Sequence, residues 1–515
     1  MKKLIRMISM MLVVIMLCSV VGCQQRTVTK EEWVEVEGEE VAQGDETGDE
    51  SENPEGEQAD NTDSEDDKDE NKNEQGNSTD DKNNSTGNNS SDKNSSTKPN
   101  GSSQNTSKKE KKLTGKLELQ VFSNTADGNK AFEKILENFE NENPDLDVTL
   151  RTGVNVHTQM LSRWMNDTPP DFVMLSGAGF PENTLQAAGK FYDFSSWFKT
   201  AKIWGTDTLI KDSIQDGMLI YNGKKLDRMP LSWGAYGLWY DSAYFKSNKL
   251  TMPKNYEGLV AFVDKAESLG KSAIVYPGVY SGYLVWGLVM PAIAAYGDEA
   301  YFNKVTGATD PSAFTDKRMK AVLTRLYDLA GDDKAFMKGT VQLNHIESQM
   351  EWLNHKSLII PNGLWLEDEM ADDTPSGFKM QFSPTSLATK DQDNYVIPYI
   401  GKFTVAKHGK NVENALAFVR YLYRPENIKA LCEDGGTIPV TKQDYSKWKY
   451  SSTARASIDV IAGKSVKRMY LKNSWGTVDA EFNNVVNALV LHEITPDQAC
   501  QRLKKACETY IRESK

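Results

Sequence analysis

The stretch that decides the fold runs from residue 116 to residue 175 and reads KLELQVFSNTADGNKAFEKILENFENENPDLDVTLRTGVNVHTQMLSRWMNDTPPDFVML. Polar and apolar residues alternate over its first seven positions, which is typical of a β-strand. The next segment places four apolar side chains at helical spacing, and a proline ends it: Phe132, Ile135, Leu136, Phe139 and Pro144. The stretch therefore opens as strand followed by helix.

Three further segments continue this alternation. They are LDVTL at 146–150, a strand, HTQMLSRWMND at 157–167, a helix, and DFVML at 171–175, a buried strand. This order predicts an α/β fold with a mostly parallel sheet covered by helices. Ligands of such sheets bind at the carboxyl ends of strands. Asn124, Ser176 and Gly177 are therefore candidate ligand contacts, although Asn124 could equally cap the next helix.

The first 22 residues have the layout of an export signal. Three basic residues precede an apolar run from Met7 to Gly22, which is too short to span a membrane comfortably. The run ends in Val20-Val21-Gly22-Cys23, which resembles the lipobox of bacterial lipoproteins. That resemblance implies cleavage before Cys23, lipidation of its thiol, and anchoring to the extracellular face of the cell membrane, stable with two or more acyl chains. An uncleaved membrane anchor is the alternative.

Residues 23–113 form a second compositional region, rich in Asp, Glu, Asn, Ser and Gly and nearly free of large apolar residues. Such a segment cannot bury enough surface to offset its ordering entropy, so we predict a disordered tether that spans about 50 Å. Residues 31–70 alone carry 20 acidic residues and one lysine, which more than accounts for the net charge of −13. The remainder has no broad basic surface, so a nucleic-acid partner is not expected.

About 400 residues remain, which is too many for one core, so at least two lobes are expected. This region contains three cysteines, Cys432, Cys500 and Cys507, which we predict to be buried small apolar residues. The five histidines lack zinc-like spacing, and no phosphate-binding GxxxxGK[ST] loop occurs. We therefore expect no metal and no cofactor, and we assign any ATP hydrolysis to a partner.

Five motifs in this region occur in a recognisable order. They are DFVMLSG at 171–177, LSWGAYGLWYD at 231–241, KSLIIPNGLW at 356–365, IGKFTVAKHGKNVENALAFVRYL at 400–422 and GGTIPVTK at 435–442. Together they resemble the maltose-binding-protein-like extracellular solute-binding proteins of carbohydrate ABC importers. Within that family, YPGVYSGYLVW at 276–286 and EWLNHKSLIIPNGLWLEDE at 351–369 are most similar to the N-acetylglucosamine- and chitobiose-binding branch.

The resemblance implies a two-lobed, type II periplasmic-binding-protein-like fold within residues 114–515, with lobes joined by hinge crossovers. Carried over by segment, the first lobe comprises about 117–237 and 398–447. The second lobe comprises about 242–395 and 450–515. The ligand would bind in the cleft between them.

The implied function is capture of a mono- or oligosaccharide, N-acetylglucosamine or chitobiose among the possibilities, and its delivery to the membrane subunits of an ABC permease. The resemblance implies a monomer that performs no catalysis. Two alternatives remain open. A secreted glycoside hydrolase would need two facing carboxylates, and a sugar sensor or adhesin could use the same fold without an importer.

A sugar site needs flat aromatic walls and a few fixed polar groups. Trp365 follows Gly363 and matches the family position that stacks on the sugar, although it could instead pack under its loop. Glu367 on the same loop could accept hydrogen bonds from two neighbouring hydroxyls. A solvated acid at a helix start is an equal alternative.

Four more aromatic residues complete the predicted site. Tyr280 and Tyr283 are three residues apart after Pro277-Gly278, so the first of them should lie at a loop or helix start near the cleft, although this spacing also fits a core stripe. Trp233 and Tyr236 flank Gly234 in the predicted crossover. On the family pattern both face the cleft, and burial as hinge packing is the alternative.

Overall fold

The computed structural model describes residues 27–28, 110–123, 129–177, 179–472 and 478–513. The predicted signal peptide, the predicted lipidation site Cys23 and nearly all of the predicted tether lie outside the described residues. The candidate ligand contact Asn124 lies outside them as well.

Thirteen strands are present in the described part of the chain. They are β1 Thr27–Val28, β2 Thr114–Phe122, β3 Asp145–Gly153, β4 Phe172–Met174, β5 Met229–Ala235, β6 Gly237–Asp241, β7 Ser272–Ile274, β8 Ser357–Asn362, β9 Met380–Ser383, β10 Tyr395–Val396, β11 Pro398–Val405, β12 Ile438–Pro439 and β13 Lys467–Arg468.

The α-helices surround these strands. They are α1 Lys130–Glu142, α2 Val156–Met165, α3 Glu182–Ala187, α4 Ile210–Ser213, α5 Ser242–Ser247, α6 Tyr256–Ser268, α7 Gly282–Leu284, α8 Met290–Ala294, α9 Glu299–Thr306, α10 Lys317–Ala330, α11 His345–Leu353, α12 Leu366–Glu369, α13 Val412–Leu422, α14 Pro425–Asp434, α15 Ser452–Ala462, α16 Val478–Val490 and α17 Pro496–Glu513. Among them, none combines the length and hydropathy that a membrane crossing needs.

The first sheet contains seven strands in the order β1-β3-β2-β4-β11-β5-β12. Strand β2 pairs in parallel with both β3 and β4, as the sequence predicts, whereas β11 and β5 are antiparallel. The inward side chains of β2 pack on the predicted apolar face of α1, which is fully buried: Leu117, Leu119, Val121, Phe132, Ile135, Leu136 and Phe139. The alternating pattern of β2 and the helical pattern of α1 therefore place their apolar side chains in the core, as predicted.

The second sheet has four strands in the order β7-β8-β6-β9. Its core packs against the apolar faces of helices α6, α10, α16 and α17, which contribute Phe262, Leu326, Phe482 and Leu503. Each sheet with its helices forms one lobe, so the α/β two-lobed class predicted from the sequence is confirmed. The three cysteines are unpaired and buried, as predicted.

The chain passes between the two lobes three times, and the first two crossings are closely spaced. It leaves the first sheet after β5 and enters the second at β6, with only Tyr236 between them. It returns between β9 and β11, through the two-residue strand β10 and Ile397; β10 pairs in parallel with β13 outside both sheets. The third crossing follows β12 of the first sheet, since α16 and α17 pack in the second lobe. Because β5 and β11 are antiparallel neighbours, with Tyr399 opposite Gly234 and Pro398 opposite Ala235, the first two crossings lie side by side. The aromatic segment 231–241 is therefore divided into two strands that belong to different sheets.

Candidate functional site

Four aromatic rings meet where the first two crossings lie side by side. The Tyr236 ring centroid is 5.1 Å from that of Trp365, 5.5 Å from that of Tyr399 and 5.6 Å from that of Tyr283. Trp365 in turn lies 5.0 Å from Tyr399 and 5.9 Å from Tyr283. All five contacts are edge-to-face, and all four side chains are half-buried. We call this group the inner cluster.

The inner cluster draws its members from both lobes. Tyr236 is the crossing residue itself, and Tyr399 is part of β11 in the first sheet. Trp365 follows β8 of the second sheet, and Tyr283 lies in α7, among the helices of the second lobe. A ligand that touches all four rings would therefore contact both lobes.

Two glycines allow these rings to lie close to the backbone. A Cβ atom at Gly363 would lie 2.1 Å from the six-membered ring of Trp365, and one at Gly234 would lie 2.7 Å from the Tyr399 hydroxyl. No side chain fits at either distance, so glycine is required wherever a ring lies directly against the main chain. The Gly363-Leu364-Trp365 motif thus fixes the indole in the inner cluster.

The tyrosine hydroxyls of the cluster are neutral hydrogen-bond donors. Burial, followed by the negative charges of Asp479 and Glu369, raises the pKa of the Tyr236 hydroxyl. Burial also raises the pKa of Tyr283 and of Tyr399. All three phenols therefore stay protonated near neutral pH, where each can donate one hydrogen bond and accept others.

A buried carboxylate, Glu369, contributes to the raised pKa of Tyr236 and of Tyr283. The Glu369 side chain is 7% exposed and accepts a 2.7 Å hydrogen bond from Gln349 Nε2. His345 Nε2 lies 3.6 Å from its other oxygen. Glu367, the acid predicted from the sequence, has a different partner, because its carboxylate accepts a hydrogen bond from the hydroxyl of Ser451.

The first lobe contributes a separate loop at the carboxyl end of β4. Ser176 and Gly177 are exposed there, and the Ser176 carbonyl accepts a 2.7 Å hydrogen bond from His157 Nε2. A Cβ atom at Gly177 would lie 2.0 Å from the Phe122 ring, and its φ is +89°. Both features require glycine. The loop is thus held against Phe122 and His157, which stack with ring centroids 5.9 Å apart.

The remaining two predicted residues lie in contrasting environments. The Trp233 side chain is 3% exposed and packs in the core of the first lobe. Its indole Nε1 has no hydrogen-bond partner in the described part of the chain. Tyr280 is 41% exposed, and its ring meets His345 edge-to-face with centroids 5.6 Å apart. Tyr280 therefore lies outside the inner cluster, on the solvent side of Glu369 and His345.

Sequence reasoning did not select two residues that the geometry brings to the site. Tyr399 is visible only as one residue of a strand, and its position opposite Gly234 depends on a pairing between segments 165 residues apart. Glu369 lies two residues after Glu367 in the short helix α12. That offset turns its side chain to another face of the helix.

The comparisons with known proteins agree with this geometry. A family model described as bacterial extracellular solute-binding protein matches residues 134–454. The multiple sugar-binding protein of Streptococcus mutans is 20% identical over 384 residues, which is 73% of this chain and 86% of that protein. The diacetylchitobiose-binding protein of Streptomyces coelicolor is 25% identical over 279 residues, 52% of this chain and 57% of that protein.

A solved structure shares the fold. The ABC substrate-binding protein of Listeria monocytogenes in complex with cycloalternan superposes with a TM-score of 0.61. It is 15% identical in sequence, and the match covers 78% of this chain and all of that one. Since the family model spans more than half of the sequence, the chain belongs to the family of bacterial extracellular solute-binding proteins.

Proposed function

We propose that this protein is a lipid-anchored sugar-binding protein, which captures a saccharide between its two lobes and delivers it to an ABC import permease. The inner cluster is the observation that carries the proposal. Aromatic faces cover the C–H surfaces of a sugar, while fixed donors and acceptors satisfy its hydroxyls. Three protonated phenols and the Glu369 carboxylate supply those polar groups beside the Trp365 indole.

Lobe closure is the proposed mechanism. The first crossing is short, with one residue between β5 and β6, and the second enters β11 directly after Ile397. Rotation about the three crossings would change the separation of the lobes. A sugar that touches Tyr399 on one side and Trp365 with Tyr283 on the other favours the closed state, because only that state makes all of the contacts. The permease would recognise the closed form.

The names of two relatives support a narrower proposal for the sugar. One is named for several sugars and the other for diacetylchitobiose, and the segments 276–286 and 351–369 resemble the chitobiose-binding branch. We therefore propose N-acetylglucosamine oligosaccharides as the first ligands to test. The domain limits inferred from the sequence, the signal peptide, the tether and the anchor at Cys23 form part of the same proposal.

Calorimetric titration tests the central claim. We expect the full chain to bind at least one saccharide from a panel of N-acetylglucosamine, chitobiose, maltose and raffinose, and X-ray scattering to show a smaller radius of gyration with that ligand. Product analysis after long incubation distinguishes binding from hydrolysis. Release of shorter sugars would establish an enzyme instead, and the absence of binding to every sugar would refute the proposal.

The anchor has its own experiment. Wild-type protein expressed with a labelled fatty acid should carry the label and sediment with membranes, whereas Cys23→Ser should be found in the medium without label. Cys18→Ser, a change inside the predicted signal, serves as the matched control and should keep the label. A wild-type protein without label would contradict the anchor and leave the sugar site unaffected.

A further inference from the structure

Two carboxylates from different helices of the second lobe act on the inner cluster. Glu369 ends α12, one helical turn after Trp365, and its amide donates to the Trp365 carbonyl at 2.9 Å. Asp479 lies in the first turn of α16. After burial, the negative charges of these two acids raise the pKa of the Tyr236 hydroxyl. Both acids therefore act on the ring that contacts the other three members of the cluster.

The face of α16 that carries Asp479 packs against the turn that holds Tyr283. Asn483 lies four residues after Asp479 and so shares its helical face. A Cβ atom at Gly282, the residue before Tyr283, would lie 3.5 Å from Asn483 Oδ1. The Asn483 carbonyl also accepts a 2.9 Å hydrogen bond from the Ser281 hydroxyl. These contacts hold the start of α16 beside the inner cluster.

Hydrogen-bond acceptors without a donor accompany the two carboxylates. Gln349 is fully buried, and its amide nitrogen faces Glu369 because a carboxylate can only accept. Its Oε1 then has no hydrogen-bond partner among the described residues, and the same holds for Oδ1 of Asn483. A buried acceptor without a donor costs free energy, so these atoms favour a ligand that is rich in donors.

An ammonium group has the chemistry that such a site would bind. It carries three donors and one positive charge, and it is attracted both by carboxylates and by the faces of Trp and Tyr rings. A hydroxyl group has a single donor and no charge. An acetylated amino group also has a single donor and no charge. Neither of these groups compensates the burial of a carboxylate as an ammonium does.

We propose that the inner cluster selects a sugar with a protonated amino group, such as glucosamine or its β-1,4-linked dimer, over the N-acetylated and hydroxyl counterparts. Glu369 and Asp479 are the residues that determine this specificity, and the rings of Trp365 and Tyr236 cover the sugar beside the ammonium. The inference rests on the proposed function and names the substrate class of the same site.

Titration with matched sugars tests this. Full-chain wild type is titrated calorimetrically at pH 7 with glucosamine, N-acetylglucosamine and glucose, and with the β-1,4-linked dimer of each. At the preferred length we expect the amino form to bind about tenfold more tightly than either neutral form, equivalent to about 1.4 kcal/mol. Glu369→Gln and Asp479→Asn keep the size of the side chain and remove its charge. Each should bring the affinities of the amino and neutral forms to within about twofold of one another.

The matched control is Asp372→Asn, because Asp372 is an exposed acid three residues after Glu369. It should keep the wild-type preference. A wild type that binds a neutral form as tightly as the amino form, or binds only maltose or raffinose, would overturn the inference and leave the proposed function standing. A preference that survives in both Glu369→Gln and Asp479→Asn would overturn the assignment to these acids. A wild type that binds none of these sugars would instead refute the proposed function.

Discussion

Trp365 is the residue on which the proposed site depends most. Its indole touches three tyrosine rings of the inner cluster and lies directly against Gly363. Trp365→Ala removes the largest apolar surface available to a sugar, so we expect binding to weaken by about 1–3 kcal/mol. Calorimetric titration of the saccharide that wild type binds measures the loss. Trp365→Phe should recover part of it, and an unchanged affinity for Trp365→Ala would remove the residue from the site.

His157 shows how a buried residue can position a site loop without touching the ligand. Trp164 Nε1 donates to Gln120 Oε1 at 2.9 Å, Gln120 Nε2 lies 2.7 Å from His157 Nδ1, and His157 Nε2 lies 2.7 Å from the Ser176 carbonyl. Because the Gln120 amide nitrogen can only donate, the histidine is neutral with its proton on Nε2. Burial lowers its pKa below the ordinary value of 6.5.

This assignment predicts a pH dependence. Below pH 6.5 the unfolded chain takes up a proton at His157 while the folded chain does not, so acidification should lower the free energy of unfolding. His157→Leu leaves the buried Gln120 amide nitrogen without its partner, frees the Ser176 carbonyl, and should cost about 2 kcal/mol at pH 7. Its stability should then fall less than that of wild type between pH 6.5 and 5 in urea titrations. The exposed His408→Leu is the control, and parallel pH profiles for wild type and His157→Leu would contradict the assignment.

The candidate residues also show what a sequence can indicate about a site. Trp365, Tyr236 and Tyr283 could be selected because aromatic residues beside glycines are local patterns. Glu369 and Tyr399 could not, since their roles depend on side-chain direction in a four-residue helix and on a pairing across the chain. Trp233 has the same local pattern as Tyr236 but lies three residues earlier, within β5, where the alternation of side chains turns it into the core.

At the scale of elements, helix α11 connects the inner cluster to the surface. His345 and Gln349 are four residues apart and so share one helical face, from which both reach Glu369. The start of the helix is closed by a capping box. The Asn344 side chain accepts from the Glu347 amide at 3.0 Å, and the Glu347 carboxylate accepts from the Asn344 amide at 2.8 Å.

Loss of this cap should be measurable. Asn344→Ala leaves the first amides of α11 without their partner, and we expect the free energy of unfolding to drop by about 1 kcal/mol. Asn344→Asp keeps an acceptor at the same place and should lie within about 0.3 kcal/mol of wild type. Urea denaturation of the three proteins provides the comparison. If alanine and aspartate behaved alike, the capping box would have no role in the stability of the helix.

Most of the strands and helices could be predicted from the sequence because the residue patterns that define them are local. The alternating residues of β2 and the apolar stripe of α1 define their own faces, and their observed bounds differ from the predicted ones by only a few residues. The division of 231–241 into β5 and β6 could not be predicted, since aromatic residues typical of strands lie on both sides of Gly234 and Gly237. Only the pairing of β5 with β11, and of β6 with β8 and β9, assigns the two halves to different sheets.

At the scale of the whole molecule, an ion network ties the two crossing strands to one helix. Glu182 at the start of α3 accepts from Arg228 at 2.6 Å and from Lys402 of β11 at 2.8 Å. Arg228 directly precedes β5, its side chain is 2% exposed, and it also bonds Asp227 at 3.1 Å. The same carboxylate therefore holds β5 and β11, the strands that lead to the first two crossings.

The charge of Glu182 should control stability in acid. Burial raises the pKa of its carboxyl, but the positive charges of Lys402 and Arg228, with their hydrogen bonds, lower this pKa by a larger amount. The pKa of Glu182 therefore lies below the ordinary value of 4.5. The network thus contributes its full stability above pH 4.5 and loses it as the pH falls through the folded pKa. Glu182→Gln removes the carboxylate that pairs with both Arg228 and Lys402, leaves the buried Arg228 with Asp227 alone, and should cost about 3 kcal/mol at pH 7. Glu137→Gln, in an exposed pair with Lys134, should cost under about 0.5 kcal/mol. Thermal unfolding measured from pH 7 to pH 3 should show the melting temperatures of wild type and Glu182→Gln converging below pH 4.5. A constant difference in melting temperature would show that the network stabilises the first lobe by packing rather than by charge.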